Sequence, residues 1–205
     1  DDELDKIEAE LAQLSQEVNG STASHDEKIQ LSTETDAPPL PPVENQQEMF
    51  GFSAKQESPL DVPGKIIQIN LKTKGASFTG QAILSAVKEV GLQPGEMHIY
   101  HRYTTDGSHK IVFNMASMVE PGVFPLKSMD DYTTPGLTLF TQLPGPGDSL
   151  AIFSDMLFTA ERLATMLGGV LQDETHSTLS KQTIETLRSE IVEHRRLVQL
   201  ARSKR

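Results

Sequence analysis

Histidines, neighbouring carboxylates and glycine-rich turns are the groups in this chain that could do chemistry. His98 and His101 lie three apart in MHIYHRYT (97–104). Shared metal ligation needs both imidazoles on one side, and on a strand that spacing sends them to opposite faces. Asp173, Glu174 and His176 crowd a tight turn, where three polar side chains read as solvated structure. Asp130 and Asp131 are adjacent in a loop and do not face each other across a cleft, as an acid/base pair must. His194, beside Glu193 in the C-terminal half of a helix, gains from the helix dipole and reads as structural. PGPGD (144–148) and LGGV (167–170) have neither the GxGxxG spacing nor the lysine of a phosphate loop. No Ser–His–Asp constellation has local context. The pattern favours a binding module over an enzyme, with no catalytic residue, metal ligand or cofactor expected.

The charge is unevenly placed. Residues 1–60 hold 14 Asp/Glu against 3 Lys, while residues 61–205 hold 15 acidic and 15 basic residues. The net charge of -11 therefore belongs to the N-terminal segment. No basic stripe is left to neutralise phosphates, so nucleic acid is not an expected partner. The chain lacks cysteine, which removes disulfide and thiolate chemistry and suits a reducing compartment. No window of 18 apolar residues is present, and DDELDKIEAE is the opposite of a signal peptide. A first residue of Asp rather than Met leads us to expect a fragment or a processed product.

Three regions follow along the chain. Residues 1–18 read as a short amphipathic helix, with Leu4, Ile7, Leu11, Leu14 and Val18 at heptad spacing; a solvent-exposed helix and a short coiled coil both fit. Residues 19–61, with APPLPPVENQQ, read as an acidic Pro/Ser/Thr/Gln-rich disordered linker. The folded domain is expected over 62–202. Its predicted elements are a strand at 65–72, a helix near 79–90 stopped by Gly91, and a strand at 97–104. A turn at TDGS returns the chain as a strand at 109–118. After one helical turn near 126–129 come the strand in TTPGLTLFTQLPGPGD and a helix at 149–167 stopped by Gly168. Two short strands and a final helix capped by Ser180 or Thr178 complete the order. This order suggests an α+β fold, its antiparallel or mixed sheet covered on one face by helices.

Alternation then sorts each strand into two rows. Ile67, Ile69 and Leu71 form the better buried set of the first strand, leaving Ile66, Gln68 and Asn70 outside. In the return strand Ile111, Phe113 and Met115 make one row, and Val112, Asn114, Ala116 and Met118 the other. Leu137, Leu139 and Leu143 point one way, and Thr138, Phe140 and Gln142 the other. The face away from the helices thus gathers Ile66, Met97, Ile99, Ala116, Met118 and Phe140, with Gln68, Asn70, Asn114, Thr138 and Gln142 as a polar rim. Met97 and Ile99 join on the assumption that Met97 points outwards. Burying such side chains stabilises by about 1.5–3 kcal/mol each, so an open apolar patch rimmed by polar groups points to a partner. Three occupants fit: a protein or peptide, a small molecule, or a loop or part of residues 1–60 folded over the row in cis.

IYHRYTTDGS, FNMASMVEPGVF, DDYTTPGLTLFTQLPGPGD and LGGVLQDE closely resemble the C-terminal domain of the ZipA family of bacterial cell-division proteins, over roughly Lys65 to Arg202. The resemblance implies a split β-α-β fold with a six-stranded sheet and three helices. It implies binding of the C-terminal tail of FtsZ, the tubulin-like GTPase of the division ring, on the sheet face opposite the helices. The positions matching the family's groove are Ile66, Met97, Ile99, Ala116, Met118 and Phe140. It also implies an N-terminal membrane anchor at the inner membrane, upstream of the linker, and a place at the division septum.

Overall fold

The protein is described by a computed structural model over residues 61–204. The helix expected at 1–18, and the linker apart from Asp61, lie outside the described residues.

Three helices frame the domain. Helix α1 (Gly80–Val90) is capped by the Thr79 hydroxyl, which accepts from Ala82 N, and is stopped by Gly91 at φ 74°. Helix α2 (Ser149–Leu167) is capped by Asp148 and stopped by Gly168 at φ 72°, and α3 (Lys181–Ser203) is capped by Ser180. Each cap satisfies an amide that the first turn leaves unpaired, and the left-handed glycines turn the chain out of the helix.

The strands are β1 (Lys65–Thr73), β2 (Phe78–Thr79), β3 (Gln93–Pro94), β4 (Tyr100–Tyr103), β5 (Ile111–Ser117), β6 (Thr133–Thr134), β7 (Gly136–Leu143) and β8 (Gly169–Gln172). Six form one antiparallel sheet in the order β3-β4-β5-β7-β1-β8, and β2 pairs with β6 separately. The fold is therefore α+β with a six-stranded antiparallel sheet and three helices. The inward rows of β1 (Ile67, Ile69, Leu71) and β7 (Leu137, Leu139, Leu143) join Phe113 and Met115. They pack in one core with Ile83, Val87, Phe153, Met156, Leu163 and Ile191 of the helices. His194, buried on α3, bonds through Nε2 to Pro63 O at 2.9 Å and ties that helix to the approach of β1.

Several local expectations are corrected. The strand placed at 97–104 begins only at Tyr100, because Met97 and His98 adopt left-handed φ values of 58° and 56° within a tight turn over Glu96–His98. The return strand is shorter than 109–118 at both ends. It carries a bulge: Arg102 faces Phe113 but Tyr103 faces Ile111, so Val112 has no opposite residue. An unopposed residue breaks the alternation, and Val112 packs against the helix-side core instead of joining Asn114. The helical turn falls at Met129–Asp131 rather than near 126–129. Of the two short strands after α2 only β8 forms, with a single bridge from Gln172 to Thr178.

Candidate functional site

The sheet face opposite the three described helices is built by register. Ile66 stands opposite Gln142, Gln68 opposite Phe140, and Asn70 opposite Thr138 across β1 and β7. On the other flank of β7, Asn114 stands opposite Phe140 and Ala116 opposite Thr138. Directly opposed residues share a face, so these positions form one surface. Met118, one residue beyond β5, continues it: its N–H donates to Gly136 O at 3.0 Å, and its sulfur lies over Gly136. Tyr100 pairs with Met115, which brings Ile99 level with Ala116.

Three of the expected residues pack together. Ile99, Ala116 and Phe140 form a small apolar cluster separate from the main core. Ala116 is the diagonal neighbour of Phe140, and Ile99 extends the cluster towards the β4 edge. Ile66, half-buried beside Gln142, and Met118, half-buried over Gly136, flank it without being part of it. Met97 lies in the left-handed turn before β4 and not on a strand, and is 48% exposed.

Two features differ from the sequence picture. The row is closed at its centre: Ile99 and Ala116 are 0% and Phe140 only 5% exposed. The polar residues also do not sit at a margin. Gln68 and Asn114 border Phe140 on both sides, and Thr138 lies between Asn70 and Ala116. These buried groups are paired, as buried polar atoms must be. Asn70 Oδ1 accepts from Thr138 Oγ1 at 2.9 Å and from Gln68 Nε2 at 3.1 Å, while Asn70 Nδ2 donates to Asp173 O at 3.0 Å. The floor is thus made of amides, a hydroxyl and apolar side chains, suited to a mostly uncharged ligand surface.

His101 is the residue that sequence reasoning weighed only as a metal ligand. It is buried, faces Asn114 across the strands, and places Nδ1 2.6 Å from Asn114 Oδ1. The signal was available, since His101 shares parity with Ile99. Among the described residues no group of three His, Cys, Asp or Glu is placed to hold a metal ion.

A cleft of about 580 Å³ opens on the helix side, between the β4–β5 hairpin and α2. Arg102 lines it, but its guanidinium lies against Asp155 (Nε to Oδ2, 3.3 Å), donates to Thr159 Oγ1 at 2.9 Å and covers the Phe113 ring at 5.5 Å. Its charge is already engaged within the fold.

A family model described as "ZipA, C-terminal FtsZ-binding domain" matches residues 65–190. The chain belongs to the ZipA C-terminal domain family. It is 37% identical over 172 residues to the cell division protein ZipA of Stutzerimonas stutzeri strain A1501, covering 82% of this chain and 62% of that protein. It is 38% identical over 146 residues to the ZipA of Pseudomonas paraeruginosa strain PA7, covering 70% of this chain and 49% of that protein. With the ZipA of Pseudomonas fluorescens strain Pf-5 the identity is 42% over 122 residues, 59% of this chain and 43% of that protein. The chain thus spans between 43% and 62% of the length of these ZipA relatives. Among the described residues no helix is long and apolar enough to cross a membrane.

Proposed function

We propose that this domain is a non-enzymatic scaffold of bacterial cell division. It binds the C-terminal tail of FtsZ on the sheet face opposite the three described helices, and so tethers and stabilises the division ring at the inner membrane. The observation that carries this reading is the Ile99–Ala116–Phe140 cluster, held apart from the main core in a chain of an FtsZ-binding family.

In this reading a tail segment lies across β7, its apolar side chains against Phe140, Ala116 and Ile99, with Ile66, Met97 and Met118 closing the ends. Methionines suit the role because an unbranched thioether adapts to the surface it meets. The amides of Gln68, Asn114 and Gln142, and the Thr138 hydroxyl, orient the segment by hydrogen bonding. Phe140 is 5% exposed, so docking requires a rearrangement that uncovers it. The apparent affinity is then reduced by the fraction of molecules open at any moment. Mostly apolar contacts make the affinity only weakly salt-dependent. The acidic linker holds the domain solvated and away from the membrane, which is reached through an anchor upstream of it.

The same 5% exposure favours a second reading, in which the row is covered in cis and is purely structural. Phe140→Ala separates the two. On the docking reading, calorimetric titration with a synthetic FtsZ tail peptide shows a loss of about 1–4 kcal/mol, as for an aromatic hot spot, with cooperative unfolding retained. On the structural reading, stability falls by about 3–5 kcal/mol and peptide affinity does not change. Failure of the wild-type chain to bind the peptide refutes the docking function outright.

A further inference from the structure

The turn that carries Met97 is held in a conformation its sequence does not favour. MHIYHRYT alternates like a strand, yet Met97 and His98 both sit at left-handed φ, 58° and 56°. Side chains in that region are strained, and two in succession persist only where surrounding bonds over-determine them. The bonds can be traced. Gly95 N donates to Ile99 O at 3.0 Å, Ile99 N to Glu96 O at 3.4 Å, and Phe124 N to His98 O at 2.8 Å. The remaining one comes from a side chain: His101 Nε2 lies 3.0 Å from Glu96 O. A carbonyl only accepts, so Nε2 carries the proton and donates.

The other ring nitrogen faces the sheet. His101 Nδ1 is 2.6 Å from Asn114 Oδ1, and Asn114 borders Phe140. With Nε2 protonated, a neutral ring offers Nδ1 as an acceptor, which the Asn114 amide group can fill by presenting its NH2. The ring reaches Glu96 because residue 95 is glycine. A Cβ there would lie 2.7 Å from His101 Cδ2 and 2.5 Å from Tyr103 Oη. One buried imidazole thus spans from the backbone of an exposed turn to the floor beside the aromatic centre of the face.

We propose that His101 is a positioning residue for the peptide-binding face: it clamps the left-handed Glu96–His98 turn to Asn114 and so sets where Met97 meets the ligand. This rests on the docking function proposed above. The clamp is more than core packing, because the side chain it places, Met97, is half in solvent and adds little to the core. When the bond to Glu96 is cut, the turn relaxes towards the extended conformation its sequence prefers, and Met97 leaves its place.

The test compares His101→Gln with His101→Asn. A Gln amide reaches the position of Nε2 and can donate to Glu96 O, whereas Asn is too short and keeps only the Asn114 side. With the FtsZ tail peptide as probe, His101→Gln is expected to stay within about twofold of wild type, and His101→Asn to weaken binding roughly tenfold. Met97→Ala also weakens binding, and adding it to His101→Asn costs little more, because one change has already removed the other's contact. The Met97 methyl resonance of the free protein shifts in His101→Asn and not in His101→Gln.

Unchanged binding in His101→Asn, additive losses in the double variant, or no effect of Met97→Ala each overturns the proposal while leaving tail binding intact. Absence of binding by wild type refutes the underlying function instead. Should His101→Asn unfold, the wild-type protein still decides. The His101 Nε2 proton must be slow to exchange and slower with peptide bound; fast exchange in both states overturns the clamp.

Discussion

Met118 lays its thioether sulfur over the bare backbone of Gly136. The outward row of β7 thus has a gap at Gly136 that the methionine just beyond β5 fills. A Cβ at Gly136 would collide with Met118 Sδ and lie 2.9 Å from Leu71 O. Gly136→Ala is expected to destabilise the domain by about 1–3 kcal/mol, the usual cost of overpacking. It should also push Met118 off the face and weaken tail-peptide binding. Denaturant melts together with peptide titration check both; a normal affinity would remove Met118 from the contact.

Asn70 joins three parts of the face through one carboxamide. Replacing it by Leu strands the buried Thr138 hydroxyl, which it now satisfies, and leaves the Asp173 carbonyl with the His176 N–H alone. A buried group left unpaired costs about 1–3 kcal/mol. Asn70→Leu should lower the denaturant midpoint accordingly, and Thr138→Val in that background should restore part of the loss. Full additivity of the two changes would show that they do not share the bond.

Phe158 offers a control on the opposite side. It is 60% exposed on α2, beside the helix-side cleft. Phe158→Ser should leave peptide affinity unchanged and stability within about 0.5 kcal/mol, as for an ordinary surface site. A marked loss of peptide binding would mean that the tail docks on the helices.

The hairpin loop between β4 and β5 should respond to acid. The Ser108 hydroxyl donates to Asp106 Oδ1 at 2.6 Å and the Ser108 N–H at 2.9 Å. These bonds, the hydroxyl's foremost, with a further one from Thr104, hold the Asp106 carboxyl down to about 2. The folded value lies below the unfolded one, so the loop order that depends on this carboxylate is complete above an unfolded pKa of about 3.9 and is lost as the pH falls through about 2. The Ser108 amide resonance should therefore titrate with a midpoint near the lower value, and Asp106→Asn should abolish the titration. A midpoint at the ordinary aspartate value would mean that the bonds do not persist in solution.

Much of the architecture was legible because local signals agreed. Asp148 and Gly168 bracket an uninterrupted apolar period, and α2 occupies 149–167, as the sequence predicts. The two rows of β1 and β7 likewise follow from alternation, because neither strand contains a bulge in its pairing. Alternation failed at Val112 and Met97. A bulge inserts one residue without changing residue types, and the turn at Met97 is imposed by Phe124, Gly95 and His101, which are distant or look unremarkable in the sequence. Strands of two residues, such as β2 and β6, are too short to have a period. For the candidate site, parity brings Ile66, Ala116 and Phe140 to one face, but parity carries no information on depth. No count of alternating residues can supply the 5% exposure of Phe140.

The strand order has a consequence for how the domain is made. β1 is the first strand of the sheet to leave a ribosome, yet Lys65 pairs with Leu143 and Thr73 with Gly169. At about 5–20 residues per second, those partners emerge only several seconds later. Until then Ile67, Ile69 and Leu71 travel as an unpaired apolar ribbon. A nascent chain stalled before residue 169 lacks β8, leaving β1 open along one edge to pairing with other chains, so full-length synthesis itself protects against aggregation.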